Sequence, residues 1–579
     1  MKRTGPIKRT DAFKQATDDQ DKVLQPEKTV AMVKKRMKTM DLKILEKTTR
    51  IDNGRLDIPV FFSTCGHDAR AVIGTKKQMG KGATPAQAEA SAVMELAERF
   101  SFFSFYRNQD HTRVGTPKQI GDEAISFDQI ARSVHDESGD RDASRQIFES
   151  LPLRWTGAWS LTREKEVLVP LDWFYAINAF NGPSAGNCVE EALSQGICEI
   201  VERHVSSMIS RQKISTSRID PASATDRLVQ EMLGKYARAG IQVTITDFTL
   251  DMGIPSVGVL AYDPASFPGR SEIVWTAGTT PGPEKALSRA LTEVAQLAGD
   301  FNSGSNYVAS GLPKFARLED AGYVIHGPGP IRLSDLPDIS NPNIRKEVDA
   351  CIQALSRRDF EVLAIDTTHP RLAVPAFYTI IPGAHFRERA AGTSVAMFAA
   401  KLTTERFGPD EAIGRLADME RLLPGKYFIQ FYLGSCHLER NDPQTALAHF
   451  SRALELSPTD QDTPSIYSYM GVCYKDLGDY DSALAVLAKG EALDPERTDI
   501  YNLMGFCHFM RKEHEAAIHN FEKVIALDPS SAIDYANIAS NYRDMGKRDE
   551  AVRYYRLALE LDPSIDFARD NLERLTGKS

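Results

Sequence analysis

The sequence predicts an α/β domain followed by an all-α repeat array. Three observations carry this: a C-terminal repeat whose prolines are spaced 37, 34 and 34 residues apart, an upstream alternation of short apolar strands with longer helices, and a weaker echo among the strands themselves. At 579 residues the chain exceeds what one hydrophobic core supports, so two or more domains are expected on length alone.

The repeat is the clearest element. Four segments align on Gly434, Gly471, Gly505 and Ala539, on Ala446, Ala483, Ala517 and Ala551, and on Pro458, Pro495, Pro529 and Pro563. Small residues where two helices touch, with a proline closing the second, resemble the tetratricopeptide repeat (TPR). The extra three residues of the first interval are placed in the loop around Gln461-Asp462-Thr463. Cys436, Cys473 and Cys507 follow the small residue by two positions in three repeats, which marks them as packing positions. A TPR array presents a groove for a partner protein, and helix-packing residues do not say which.

Upstream, residues 1–385 read as α/β, with strands expected at 241–248, 257–262, 273–277, 362–366 and 376–381. Ile58-Pro59, Ile254-Pro255 and Val374-Pro375 each open a strand, and the last two follow apolar strands ending in Asp247 and Asp366. The pattern suggests repeated helix-strand-strand units. Residues 386–425 read as a helical connector to a repeat array over 426–575, and the polar residues 1–20 as loosely ordered.

Composition narrows the function classes. The balance of 70 basic against 79 acidic residues disfavours nucleic acid as main partner. The one compact basic run, Lys34-Lys35-Arg36-Met37-Lys38, alternates with Val30, Val33 and Met37 and reads as the solvated face of a helix. Seven cysteines without a CxxC pair or a His/Cys cluster indicate neither a disulfide framework nor structural zinc. No apolar run reaches the roughly 18 residues of a membrane helix, and no signal-peptide core follows Met1-Lys2-Arg3-Thr4, so a cytoplasmic protein is expected.

The chemistry shows as a violation of helix patterning. Thr84-Pro85-Ala86-Gln87 announces a helix start by capping Thr, first-turn Pro and Gln three residues after the cap. In that helix Ser91, Glu95 and Glu98 fall at i, i+4, i+7 on one stripe. A second helix is expected from about Asn187, with Glu190 at the capping-box position and Glu191, Gln195, Glu199 and Glu202 as its polar stripe, followed by Arg203. A third, from about Pro283, carries Arg289, Glu293 and Gln296. Singly, each could be a solvent-facing stripe. Together with Ala88, Ala92, Ala97, Ala192, Gly196, Ile197, Ala290 and Ala295 on the same helices, they leave little room for an exposed face, so the acids read as interior. Buried carboxylates repel one another unless protons or cations intervene, and oxygen donors suit magnesium with nucleotide phosphates. Arg99, Arg203 and Arg289 could pair with those phosphates. Neither a GxxxxGK[ST] loop nor a kinase signature set is present.

These residues resemble the YcaO family. Its signatures match Lys81-Gly82-Ala83-Thr84 leading into Ser91, Glu95, Glu98 and Arg99; Asn181-Gly182-Pro183-Ser184-Ala185-Gly186-Asn187 leading into Glu191, Glu199, Glu202 and Arg203; and Arg289, Glu293 and Gln296. The resemblance implies a YcaO-type ATP-binding domain in which Glu95, Glu98, Glu199, Glu202 and Glu293 surround Mg2+. It implies that Ser184, Asn187 and Glu191 meet the nucleoside and Arg203 the phosphates, with Ser91 and Arg289 in the same ATP site. YcaO enzymes use ATP to phosphorylate the oxygen of a peptide backbone amide after a nucleophile has added. A side-chain nucleophile gives an azoline, and a sulfide source gives a thioamide. No residue is marked as the catalytic base.

Two departures bear on the subclass. Azoline-forming members commonly end in a proline-rich tail, whereas this chain ends Leu575-Thr576-Gly577-Lys578-Ser579, which disfavours azoline formation. Members often carry an Arg near the first strand for phosphate contact; Lys47 and Arg50 are the candidates here. Arg50-Ile51-Asp52-Asn53-Gly54-Arg55-Leu56 and Gln78-Met79-Gly80-Lys81-Gly82 resemble the branch associated with thioamidation, while a TPR-like C-terminus resembles members linked to methylthiolation of a small-subunit ribosomal protein. Four readings therefore stand: a thioamide-forming enzyme acting on a protein, an accessory factor for ribosomal-protein methylthiolation, a TPR scaffold switched by nucleotide, and azoline synthesis. A sulfur donor or helper protein and a homodimer through the α/β part are what the resemblance implies. Cys65, Cys188 and Cys198 lie near the motifs, and packing is the reading given to them.

Overall fold

In a computed structural model the described residues are 5–15, 21–52, 54–74, 78–269, 272–298, 301, 312, 315, 317–386, 393–528 and 531–577. They fall into two compact units, drawn from Met1–Ser138 with Glu149–Val395 and from Gly139–Phe148 with Ala396–Ser579. Asn53, Pro529, Lys578 and Ser579, named above, lie outside the described residues.

In the first unit, helix α1 (Pro26–Thr39) buries Val30, Val33 and Met37 and leaves Lys34, Lys35 and Lys38 exposed, as the alternating pattern predicts. Strands β1 (Leu45–Arg50), β2 (Val60–Cys65) and β3 (Gln78–Lys81) form an antiparallel sheet in the order β1-β2-β3. Helix α2 (Pro85–Arg107) packs on it and starts at the Thr84–Gln87 capping box, with both reciprocal bonds present. Strands β4 (Arg113–Gly115), β5 (Leu153–Ser160), β6 (Lys165–Pro170) and β7 (Pro183–Ala185) belong to a six-stranded sheet. Helix α3 is Val189–Gln212. Strands β8 (Gln242–Asp247), β9 (Ser256–Tyr262) and β10 (Val274–Thr279) form a second three-stranded antiparallel sheet, and helix α4 (Pro283–Ala298) covers it. After helix α5 (Ile344–Ser356), β11 (Leu363–Asp366) and β12 (Ala376–Ile380) complete the larger sheet in the order β4-β5-β11-β12-β7, with β6 on β5.

The echo in the sequence is a structural repeat. Pro59, Pro255 and Pro375 each precede the opening residue of β2, β9 and β12, and in the last two hairpins Asp247 pairs with Val257 and Asp366 with Phe377. Two glycines set how closely α2 and α4 approach their sheets. A Cβ on Gly80 would lie 2.0 Å from the Ala92 nitrogen, and one on Gly278 would lie 2.2 Å from the Ala286 oxygen. The core over the second sheet is built from Ala286, Leu287, Ala290, Leu291 and Val294 of α4 against Val257, Val259 and Val274.

Two expectations need correction. The second acid helix starts at Val189 with Cys188 as cap and no side-chain capping bond; Glu190 instead accepts from the Thr10 backbone N–H at 2.5 Å. Residues 5–15 are not loosely attached. Asn343 Oδ1 accepts from Ala12 N at 3.1 Å, Ile344 N donates to Ala12 O at 2.8 Å, and Lys14 pairs with Glu347 at 2.5 Å, so backbone partners far along the chain order a stretch without local periodicity. Residues 1–4 and 16–20 lie outside the described residues.

In the second unit, Val395–Arg406 and Pro409–Leu422 precede helix pairs Tyr427–Glu439/Pro443–Glu455, Thr463–Asp476/Tyr480–Leu493, Thr498–Met510/His514–Leu527 and Ala532–Asp544/Arg548–Leu561, with Asp566–Thr576 after them. The repeat small residues are where the paired helices meet. A Cβ on Gly434, Gly471 or Gly505 would come within 2.8, 2.5 or 2.7 Å of Phe450, Leu487 or Phe521. The extra residues of the first interval sit in the loop 456–462, where the next repeat has only 494–497. Cys436, Cys473 and Cys507 are buried and free, in keeping with packing.

Candidate functional site

The three polar stripes converge. Facing sides of α2, α3 and α4, the β3–α2 turn, residues 14–15 and 21–29 and parts of 338–347 line one cavity of about 1000 Å³. Ser91, Glu95, Glu98 and Arg99 reach it from α2, Glu191, Gln195, Glu199, Glu202 and Arg203 from α3, and Arg289, Glu293 and Gln296 from α4, with Asn187 at the start of α3. Four of the acids are interior, the side chains of Glu98, Glu199, Glu202 and Glu293 being between 6% and 16% exposed, whereas Glu95 is 32% exposed at the cavity's edge.

Ser184 does not join them. Strand β7 pairs Ser184 with Phe377 and buries it completely beneath α3, where a Cβ on Gly196 would lie 2.7 Å from its Oγ. The expectation that this hydroxyl meets a nucleoside is therefore withdrawn. Neither candidate for the first-strand cation lines the cavity either: Arg50 is held by Asp52 at 2.8 Å and Asp57 at 3.2 Å, and Lys47 is exposed. The cation that does project there from the first sheet is Lys81, paired with Glu293.

The cations are interleaved with the acids. Arg99 lies 3.4 Å from Glu98 and 3.8 Å from Glu95, and Arg203 lies 3.5 Å from Glu202 and 4.0 Å from Glu199. Arg99 donates to the Phe180 carbonyl at 3.0 Å and Arg203 to Asn181 Oδ1 at 3.1 Å, so the turn before β7 positions both guanidinium groups. Arg289 donates to Gln195 Oε1 at 2.7 Å, and Thr279 N donates to Glu202 Oε2 at 3.2 Å. Away from this cluster, Glu191 Oε2 accepts from both nitrogens of Asn187 at 2.9 Å, its Oε1 accepts from Val23 N at 2.6 Å, and Thr29 donates to Asn187 at 2.9 Å.

Burial raises the carboxyl groups of Glu95, Glu98 and Glu199 above the ordinary glutamate value, and repulsion from neighbouring acids adds to it; Arg99 and, for Glu199, also Arg203 oppose the shift. Burial, with Arg289 nearby, lowers Lys81 to about 7. A cluster whose acids resist ionisation is one that a divalent cation would relieve, and its donors are the oxygens that magnesium takes. Among the described residues no three metal-binding side chains form a closed set, and magnesium does not need one, since it binds through one or two carboxylates plus phosphate oxygens.

A carboxyl group with a raised folded pKa holds more protons folded than unfolded, so its contribution to stability falls as pH rises above about 4.5. Without nucleotide, the melting temperature is expected to carry a component that declines from pH about 5 towards neutrality. Saturating Mg·ATP should flatten it and release protons on binding, measurable by calorimetry in buffers of different ionisation enthalpy. Proton uptake would contradict this.

Residues 79–385 match the family described as YcaO cyclodehydratase, ATP- and Mg2+-binding. Tetratricopeptide repeats match over 408–461, 437–507 and 535–565. An uncharacterized protein in the tfuA 3′ region of Rhizobium leguminosarum bv. trifolii is 26% identical over 406 residues, covering 66% of this chain and 91% of that protein. The ribosomal protein S12 methylthiotransferase accessory factor YcaO of Escherichia coli (strain K12) is 28% identical over 242 residues, 38% of this chain and 40% of that protein. A solved heterocyclase in complex with substrate and cofactor is similar in fold, with a TM-score of 0.53 and 22% identity over 69% of this chain and 57% of its own. No helix among the described residues is long and apolar enough to cross a membrane.

Proposed function

The chain belongs to the YcaO family of ATP- and Mg2+-binding cyclodehydratases, and from that membership we propose that it activates a backbone amide of a protein substrate and replaces the amide oxygen by sulfur. The supporting observation is the convergence of Glu95, Glu98, Glu199, Glu202 and Glu293 with Arg99, Arg203 and Arg289 from three helices in one cavity. Bound Mg·ATP would supply the phosphoryl group that turns the amide oxygen into a leaving group. A sulfur nucleophile adds to the amide carbon, the resulting oxygen takes the phosphoryl group, and the carbon–oxygen bond breaks as phosphate departs.

In this reading Glu95, Glu98, Glu199, Glu202 and Glu293 hold magnesium, Asn187 and Glu191 orient the nucleoside, and Arg203 and Arg289 hold the phosphates, with Ser91 on the same wall. Arg99 keeps Glu95 and Glu98 apart in charge. The α/β unit acts as a homodimer in the cytoplasm, and a separate protein delivers sulfur. TPR repeats are a protein-interaction architecture, and here the array holds the substrate or the sulfur-delivering partner. A second reading, an accessory factor for ribosomal-protein methylthiolation, draws on the printed name of the Escherichia coli relative and uses the same nucleotide site.

The test is mass spectrometry of the proteome from cells with and without the chain. A backbone mass gain equal to oxygen replaced by sulfur, restored by wild type and not by a Glu199→Ala, Glu202→Ala variant, is expected. Loss of water at that site would mean an azoline, and a missing methylthio group on a ribosomal protein would favour the accessory reading. An unchanged proteome, with a partner held by the repeats in a nucleotide-dependent way, would mean a scaffold.

A further inference from the structure

We propose that Phe180 is a substrate-recognition residue, its ring a shelf beside the cavity on which a large apolar side chain of the protein substrate rests, one or two residues from the amide being activated. The proposal rests on the reading of the chain as an amide-activating enzyme and names a feature of its substrate.

Phe180 is held out on a strained turn. The helix Leu171–Asn178 ends at Ala179, whose φ of 49° and ψ of −113° are those of the first central residue of a type II′ turn, a place that normally takes glycine. Asn181 N closes the turn by donating to Asn178 O at 2.9 Å, and Asn181 Nδ2 donates to the same oxygen at 2.9 Å. Ala179 is buried, while Phe180 at the tip is 42% exposed. Gly, Asn, Asp and Ser dominate such tips, so an aromatic ring here gives up apolar burial that a polar residue would not miss. Strain held in place by its surroundings is a pointer to function.

The turn is tied to the site. Phe180 O accepts from Arg99 at 3.0 Å and Asn181 Oδ1 accepts from Arg203 at 3.1 Å, which joins the tip to the two guanidinium groups that stand beside Glu98 and Glu202. Positioning Arg99 does not account for the ring, because that bond uses a main-chain carbonyl, which any residue supplies. The ring centroid lies 5.6 Å from the Arg99 guanidinium carbon and 5.9 Å from the ring of Phe103, one turn further along α2. Phe103 is half-buried and packs in turn on the buried Phe102 at 5.2 Å, so the exposed ring is the outer end of an aromatic layer. Through Arg99 an exposed apolar surface thus adjoins the charged wall of the cavity.

The scale fits a neighbour of the reacting amide. An extended peptide advances roughly 3.5 Å per residue, so a side chain one or two residues from an amide at the Arg99–Arg203 end of the cavity reaches the ring. An aromatic or long aliphatic side chain would cover the shelf, and its contact, remote from the bonds that change, would serve to hold the amide in place for phosphorylation. The Phe180 ring itself takes no part in bond making.

Two measurements on the full chain test this: mass spectrometry of the proteome from cells carrying wild type, Phe180→Ala or Phe180→Leu, and calorimetry of AMPPCP·Mg on the purified proteins. In wild-type cells the modified amides should have Phe, Tyr, Trp, Leu, Ile or Met within two residues. With Phe180→Ala their occupancy should fall roughly 10-fold, the effect of truncating an aromatic anchor, while AMPPCP affinity stays within about twofold of wild type. Phe180→Leu should recover much of the occupancy, and melting curves should show both variants folded. Modified amides without a large apolar neighbour, or an occupancy unchanged in Phe180→Ala, would overturn the assignment while leaving the amide-activating reading standing. So would AMPPCP binding weakened as much as modification, which would make the ring part of the nucleotide site, or a change of oligomeric state in light scattering, which would make it a contact between copies. A wild type that binds AMPPCP·Mg but leaves no amide modified would overturn the amide-activating reading and the proposal with it.

Discussion

If Glu199 and Glu202 hold magnesium as proposed, replacing both by Gln is expected to lower ATP-dependent turnover by about 10³-fold or more, because the two carboxylates beside Arg203 are lost from the centre of α3. The same change should not unfold the protein. Glu199 is an acid whose ionisation burial opposes, so a neutral isostere removes a buried repulsion while keeping volume and helix propensity. Stability is expected to hold or rise as activity disappears, the trade expected where a site is built from mutually repelling charges. Turnover and melting temperature measured on one preparation check both halves. A large fall in melting temperature would mean that these acids serve the fold.

Gly278→Ala is expected to act in the opposite way. The added Cβ would lie 2.2 Å from the Ala286 oxygen and 2.7 Å from the Ala290 nitrogen, both backbone atoms that cannot step aside without moving α4 off β10. Overpacking of this kind costs about 3 kcal/mol, or a fall in melting temperature of roughly 5 °C in a domain this large. Because α4 carries Arg289 and Glu293, nucleotide affinity should fall with it. Gly80→Ala meets the same obstacle in Ala92 and Ala88 and should behave alike. Thermal melting of the two variants beside Gly408→Ala, where a Cβ has open space, checks the argument.

Much of the site was legible because it broke a local rule. Polar residues at i, i+4, i+7 among alanines are conspicuous on a helix, and the Thr84–Gln87 capping box marked where the first such helix begins. The five strands expected between 241 and 381 are present because apolar runs bounded by Pro, Gly and Asp are local signals. What escaped depends on distant pairing. Ser184 sits in a Gly- and Asn-rich turn that reads as a ligand loop, yet its pairing with Phe377 turns it into the interior. Residues 5–15 carry no periodicity, and their order comes from backbone bonds to residues 342–344. The six-stranded sheet joins strands from 113 to 380 in an order no local pattern encodes. Lys81 was in view as part of a signature, but only the close approach of Gly80 and Gly82 to α2 shows where its side chain goes.

The central claim is that the acid-lined cavity is a magnesium-dependent ATP site. Calorimetric titration of ATP into the full chain, with and without magnesium, and into a Glu199→Ala, Glu202→Ala variant tests it most directly. Saturable binding that requires magnesium and is lost in the folded variant is the predicted result; a folded wild type that does not bind, or a variant that binds as tightly as wild type, would contradict it.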